Sequence, residues 1–411
     1  MRARGSSIQG APVEASKRFI ILDALRGFAL LGICLANYPE FSLYTFLEPE
    51  SVQSMPSAGI DLVTKYFIYI FIDGKFYTIF SLLFGIGFSI ILENNRKRGA
   101  NGLKVFYRRM LFLLLIGFAH LMLIWSGDIL MLYALVGMIL PLFHNRKDKS
   151  IIIWAAIFLL LPIIVDFVSQ FTGIYMSAKL TEWEGLLSDH YGISDKGYAF
   201  WLKEAQSYGD VLKFLVMGSV ERMSEFVDGN RYFKVAGLFL IGYLMGRHKI
   251  FASPETYRNR MKKIALAGTF AGLPLSGLYA WSAITGKPWG VGVHSLLYLA
   301  SVYITGFGYV AIFTLLYLRF KAGYFWRLLS FPGRMALTNY IGQSAIGMII
   351  FYGIGFGMGA DTGLFSTEWI ALFVFLAEIV ASGLWLKAFR FGPLEWLWRC
   401  LTYKRIFSII K

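Results

Sequence analysis

A chain of 411 residues that is 57% hydrophobic and 17% aromatic but only 16% charged, with mean hydropathy +0.58, has too little polar surface to be water-soluble at this size. The net charge of +15 comes from Lys and Arg spread over alternate connections, not gathered in one patch or helical stripe, which argues against nucleic acid as a partner and for retention of those loops on one membrane side. The two cysteines, Cys34 and Cys400, cannot form a disulfide framework. The apolar runs are continuous and lack strand alternation, so the predicted class is all-α: a polytopic bundle of about ten spans with both termini cytoplasmic.

Residues 1–16 are polar and rich in Ser, Gly and Ala, and read as a disordered cytoplasmic tail. Lys17 and Arg18 orient a first span from about Phe19 to Tyr38. Ile33 is too bulky for Leu31-Gly32-Ile33-Cys34 to be a lipoprotein cleavage site, so this span is kept. Asp23, Arg26, Leu30 and Asn37 fall on one face of it, and Asp23 and Arg26, at i,i+3, are spaced to pair. Residues 39–59 contain Glu40, Glu48 and Glu50 but no Lys or Arg, and belong outside. Residues 61–92 read as one bent or interrupted pass broken at Asp73-Gly74-Lys75, with Asp73 and Lys75 set against other helices or a wet cavity.

The third and fourth spans, about 105–125 and 128–143, form a tight hairpin that brings His120 and Asp128 within reach of each other at a membrane face. Such a pair can act as a general base with its orienting carboxylate. Equally, Asp128 and Ser126 can cap the following helix, Trp125 can anchor at the interface, and His120 can be a hydrogen-bonded core residue. The fifth span, about 151–171, contains Pro162 and Asp166, a kink beside a buried polar site. Residues 172–230 read as outer-face interfacial helices, lying on the membrane or capping a cavity. Spans six to ten follow at about 232–246, 264–284, 293–318, 335–357 and 368–389. Asn339 and Gln343 share a face of the ninth, and Glu378, Ser382 and Trp385 a face of the tenth. The implied organisation is a tail (1–16), a five-span bundle (17–171), an outer segment (172–230) and a second five-span bundle (231–411).

Several segments carry a family resemblance: Leu22-Asp23-Ala24-Leu25-Arg26-Gly27, Gly74-Lys75-Phe76, Gly127-Asp128-Ile129-Leu130 with Tyr133-Ala134-Leu135, Ala336-Leu337-Thr338-Asn339-Tyr340, and Phe391-Gly392-Pro393-Leu394-Glu395-Trp396. Over residues 17 to 405 or so the chain resembles the YeiB-like bacterial membrane proteins, whose C-terminal half is a domain of unknown function. The Leu-Asp-x-Leu-Arg-Gly pattern is also similar to that of transmembrane acyltransferases, among them the lysosomal heparan glucosamine acetyltransferase. That resemblance implies a bacterial cytoplasmic-membrane protein that takes acyl-CoA as a cosubstrate from the cytoplasm and passes the acyl group to an outer-face acceptor. It departs in one respect: the lysosomal enzyme uses a histidine in its first outer loop, and residues 39–59 contain none.

Three functions are carried forward. Acyl transfer would use His120 and Asp128 as base and orienter, with Asp23, Arg26, Asn37, Asp73, Lys75, Asn339, Gln343 and Glu378 as substrate or cosubstrate contacts and Lys17 and Arg18 near the CoA phosphates. Transport would run a substrate or proton along Asp23, Arg26, Asp73, Lys75, Asp166 and Glu378. A non-catalytic partner protein would use the long outer segment as its surface. No tightly bound cofactor and no metal are expected; membrane lipid is the expected neighbour, and the oligomeric state is open, a dimer included. Of the five histidines only His120 is expected within an outer-leaflet span, with His294 as runner-up.

Overall fold

The computed structural model describes residues 20–321 and 323–411, and among them the secondary structure is helical, with one isolated β-bridge between Phe389 and Ile410. The predicted tail and the pair Lys17 and Arg18 lie outside the described residues. Seven helical stretches are long and apolar enough to cross a membrane: Ile20–Phe41, Ala58–Lys97, Gly102–Leu123, Asp148–Thr172, Pro254–Ile284, Gly290–Arg319 and Leu364–Ala388. The other three expected spans are shorter helices, Leu130–Phe143, Arg231–Arg247 and Ala336–Phe351.

The first span is α1 (Ile20–Phe41), which continues three residues past its expected end through Pro39. The second is interrupted as its sequence implies: α2 (Ala58–Phe67) runs into a π-turn at Ile68–Ile72 before α3 (Lys75–Lys97). Gly74 takes φ +73° at the break, a conformation that L side chains adopt only with strain. The third span is α4 (Gly102–Leu123). The fourth falls short of the expected 128–143 helix: α5 (Leu130–Gly137) gives way to a 3₁₀ turn at Leu140–Phe143, where Pro141 contributes no N–H to extend the α ladder. After α6 (Asp148–Thr172) comes the long connecting segment, whose main helices are α7 (Ala178–Tyr191) and α8 (Tyr208–Asp228). The second half contains α9 (Arg231–Arg247), α10 (Arg258–Ala267), α11 (Leu273–Ile284) and α12 (Gly290–Arg319). It ends with α13 (Tyr324–Arg334), α14 (Ala336–Phe351), α15 (Leu364–Ala388) and α16 (Pro393–Tyr403).

The basic connections meet on one face. Lys249 pairs with Glu93 at 3.2 Å, Arg247 and His248 with Asp148 at 3.1 and 2.7 Å, and Lys321 with Glu255 at 2.8 Å. The opposite face is closed by backbone links between its loops, such as Ala360 N to Ser42 O at 2.8 Å and Gly353 N to Leu202 O at 2.9 Å. Between the faces α1 is the central post. Gly27 and Gly333 let α1 and α13 touch along their backbones, since a Cβ on Gly27 would stand 1.9 Å from Leu329 O and one on Gly333 1.8 Å from Asp23 O. This contact fixes the height of α14 against α1, which decides where the polar residues of the ninth span fall.

Candidate functional site: a membrane-long cavity and a buried His-Asp pair

A cavity of about 950 Å³ follows α1 from Leu22 to Glu40 and the second span from Ile72 to Lys97. The eighteen residue steps from Leu22 to Glu40 rise roughly 27 Å at about 1.5 Å each, close to the thickness of a bilayer's hydrocarbon core. At the basic face it is lined by six cations, Arg26, Lys97, Arg109, Lys249, Arg334 and Arg399, against three carboxylates, Asp23, Glu93 and Glu395. Arg26 Nη1 reaches Asp23 Oδ1 at 2.6 Å, the pairing that the i,i+3 spacing implies. The Arg109 guanidinium lies 3.5 Å from the centre of the Trp398 ring, a cation–π contact.

At the opposite end the wall is made by Asn37, Glu40, Gly127, Ile129 and Tyr340, with Arg222, Glu225 and Arg231 supplied from α8 and the start of α9. Trp125 Nε1 donates to Glu40 Oε1 at 2.8 Å, and Arg222 Nε donates to Ser126 O at 3.2 Å while its Nη1 pairs with Glu225. Burial works against the Arg222 charge, but Glu225 and Glu40 beside it more than offset that and hold it above its ordinary value. α8 therefore caps the cavity, one of the two roles open to it in the sequence.

A second cavity of about 670 Å³ lies on the same side and shares Asp73, Arg231 and Tyr298 with the first. It is also lined by Asp166, Asp228, Lys234, Lys287 and His294. Tyr279 OH donates to Asp73 Oδ2 at 2.5 Å, Asn230 Nδ2 to Asp166 Oδ1 at 2.9 Å, and His294 Nδ1 is 3.0 Å from Ser282 Oγ.

The sequence candidates divide into two sets. Asp23, Arg26, Asn37 and Asp73 line the long cavity. Lys75, His120, Asp128, Asn339, Gln343 and Glu378 are buried, and they are not among the residues lining either cavity. Lys75 Nζ turns back to Tyr69 O at 2.5 Å. Asn339 Nδ2 donates to Ser382 Oγ at 2.9 Å and Gln343 Nε2 to Glu378 Oε2 at 2.7 Å, a polar seam joining α14 to α15. His120 Nδ1 is 2.8 Å from Asp128 Oδ2 and its Nε2 is 3.0 Å from Ser344 Oγ, while Asp128 Oδ1 accepts the Met131 amide at 2.8 Å. Asp128 thus both orients the histidine and caps the next helix. Tyr340 separates this cluster from the cavity, its ring 5.3 Å from that of His120.

Sequence reasoning missed Ser344, Arg109, Arg222, Glu225, Arg231 and Lys234. The spacing of Arg222 and Glu225 at i,i+3 in an amphipathic helix was a usable signal; Ser344, one residue beyond Gln343, had none of its own.

A family model described as "Protein of unknown function (DUF418)" matches residues 245–405. The chain is 31% identical over 410 residues to the uncharacterized protein YxaH of Bacillus subtilis (strain 168), covering 97% of each. It is 30% identical over 406 residues to the uncharacterized protein YeiB of Escherichia coli (strain K12), covering 94% of this chain and 97% of that one. No solved structure matches it. The chain belongs to the YeiB-like DUF418 family of multi-pass membrane proteins.

Proposed function

We propose that this protein is an acyltransferase of the bacterial cytoplasmic membrane, taking an acyl group from acyl-CoA at its basic face and delivering it to an acceptor at the opposite face. The observation that carries this reading is the long cavity itself, cationic at one end and continuous to the other. Arg26, Arg109 and their basic neighbours suit the CoA phosphates, because guanidinium groups recognise phosphate through charge-assisted hydrogen bonds. An extended pantetheine arm then lies along α1, with the thioester toward Asn37 and Tyr340. The second cavity, meeting the first at Asp73, Arg231 and Tyr298, takes the acceptor. His120, oriented by Asp128 and separated from the cavity by the Tyr340 ring, is the proton acceptor once that ring moves aside.

The test is acetyl-CoA binding and turnover by the purified protein in nanodiscs. Wild type should bind acetyl-CoA and release free CoA in the presence of a membrane extract, and Arg109→Gln should weaken binding about tenfold, the loss of one charge-assisted contact. Absence of binding by the folded wild type rejects the proposal.

Transport is the second reading, favoured by two spans with π-turns, at Ile68–Ile72 and Gly268–Gly272, the first packed against α11. Such π-turns often mark functional sites, and an interruption like that of the second span at Gly74 is the kind that frames substrate sites in transporters. Substrate accumulation in sealed proteoliposomes, without chemical change to the substrate, would favour it over acyl transfer.

A further inference from the structure

The cluster behind Tyr340 is more than a histidine with its carboxylate. The hairpin that carries His120 and Asp128 and the distant helix α14 bring together Asp128, His120 and Ser344, each about 1% exposed, in the order carboxylate, imidazole, hydroxyl. The carboxylate is on Nδ1 and the hydroxyl on Nε2, the arrangement in which an imidazole removes a hydroxyl proton while the carboxylate fixes its tautomer. The second oxygen of Asp128 is held by the Met131 amide at 2.8 Å, so the carboxylate cannot turn away. Ser344 has a single hydroxyl proton and two acceptors in range, His120 Nε2 at 3.0 Å and the Tyr340 carbonyl at 3.2 Å. In the first of these arrangements the hydroxyl is poised as a nucleophile. In the second it is an ordinary helix back-bond.

We propose that Ser344 is an acyl-accepting nucleophile, reached when the Tyr340 ring swings out of the cavity wall, so that transfer proceeds through an acyl-serine. This rests on the acyltransferase reading above. In the first half-reaction Ser344 Oγ bonds to the thioester carbonyl carbon and the carbon–sulfur bond breaks; His120 Nε2 takes the hydroxyl proton and returns it to the departing thiolate. In the second, an acceptor hydroxyl or amine gives its proton to His120 and attacks the ester carbonyl. The carbon–Oγ bond breaks and the proton goes back to Ser344. No oxidant or further reactant is needed, and Asp128 acts through His120 as a positioning residue.

The experiment uses the full chain in nanodiscs with radiolabelled acetyl-CoA and no acceptor, rapidly quenched, followed by mass spectrometry of the peptides. Wild type should carry label on the Ser344 peptide. Ser344→Ala should carry none yet bind acetyl-CoA with unchanged affinity, and Ser344→Cys should carry it as a thioester that neutral hydroxylamine releases. Asp128→Asn should shift the pH profile of labelling as well as its rate, which a purely structural role would not do. If wild type releases CoA but shows no acyl-serine, or folded Ser344→Ala turns over at the wild-type rate, the serine intermediate is overturned and the acyltransferase reading stands. If wild type neither binds nor consumes acetyl-CoA, both fall together.

Discussion

His120 and Asp128, eight residues apart across the hairpin, form a pair 2.8 Å long with no side-chain exposure on either partner. A charged or strongly polar pair so enclosed is held by its mutual contact, and removing one member leaves the other without compensation. Asp128 also caps α5 through Met131, so its loss removes both the His120 contact and the helix cap, while loss of His120 removes its contacts to Asp128 and Ser344 and leaves the cap in place.

Asp128→Ala should therefore destabilise by about 3–5 kcal/mol, and by more than His120→Asn. Denaturant unfolding in detergent, followed by tryptophan fluorescence, compares the two. Equal effects would mean that the cap contributes no more than the His120–Ser344 contact.

Gly87 lines the long cavity and has no atom within 4 Å of where a Cβ would lie. Gly87→Leu should narrow the cavity without a clash, lowering acetyl-CoA affinity by at least tenfold while leaving the melting temperature within a few degrees of wild type. Gly85, two residues away, is the control: its Cβ would stand 2.1 Å from Phe239 O, so Gly85→Leu should cost folded yield.

Glu395 of α16 caps α14 from outside, accepting the amides of Leu337 and Thr338 at 2.7 and 3.0 Å and the Thr338 hydroxyl at 2.6 Å. A carboxylate at a helix N-terminus satisfies donors that the helix cannot and meets the positive end of its dipole. Glu395→Ala should cost about 1–2 kcal/mol, and Glu395→Gln less, since the amide keeps an acceptor but not the charge. Thermal shift assays on both variants give the order.

Glu221 on α8 is pushed up to about 8 by burial and by the neighbouring Glu225, Glu184 and Glu40. Its folded-state value lies above the ordinary carboxylate value, so the folded chain binds more protons in that window. The stability it contributes is fully present at pH 4.5 and is lost as the pH rises through about 8. Glu221→Gln should remove this part of the pH dependence and raise the melting temperature at pH 8.5 relative to wild type. An unchanged slope between pH 5 and 8.5 would show that Glu221 stays ionised.

The sequence by itself determined the helical class, the order of the ten apolar segments, the break at Asp73-Gly74-Lys75 and the gathering of Lys and Arg on one face, because each depends on local pattern and on solvent. It also determined the two local pairs, Asp23 with Arg26 and His120 with Asp128, whose partners are joined by a single turn of helix or a single hairpin. Only the tertiary structure decided which polar faces meet a cavity and which meet another helix. Asn37 and Gln343 look alike on paper, yet one lines the long cavity and the other is sealed against Glu378. The physical reason is that a polar stripe in an apolar helix can be satisfied by water or by a neighbouring helix at similar cost. The close contact of Gly27 and Gly333 packs α13 on α1, and α14, which follows α13 directly, brings Ser344 against a histidine 224 residues away.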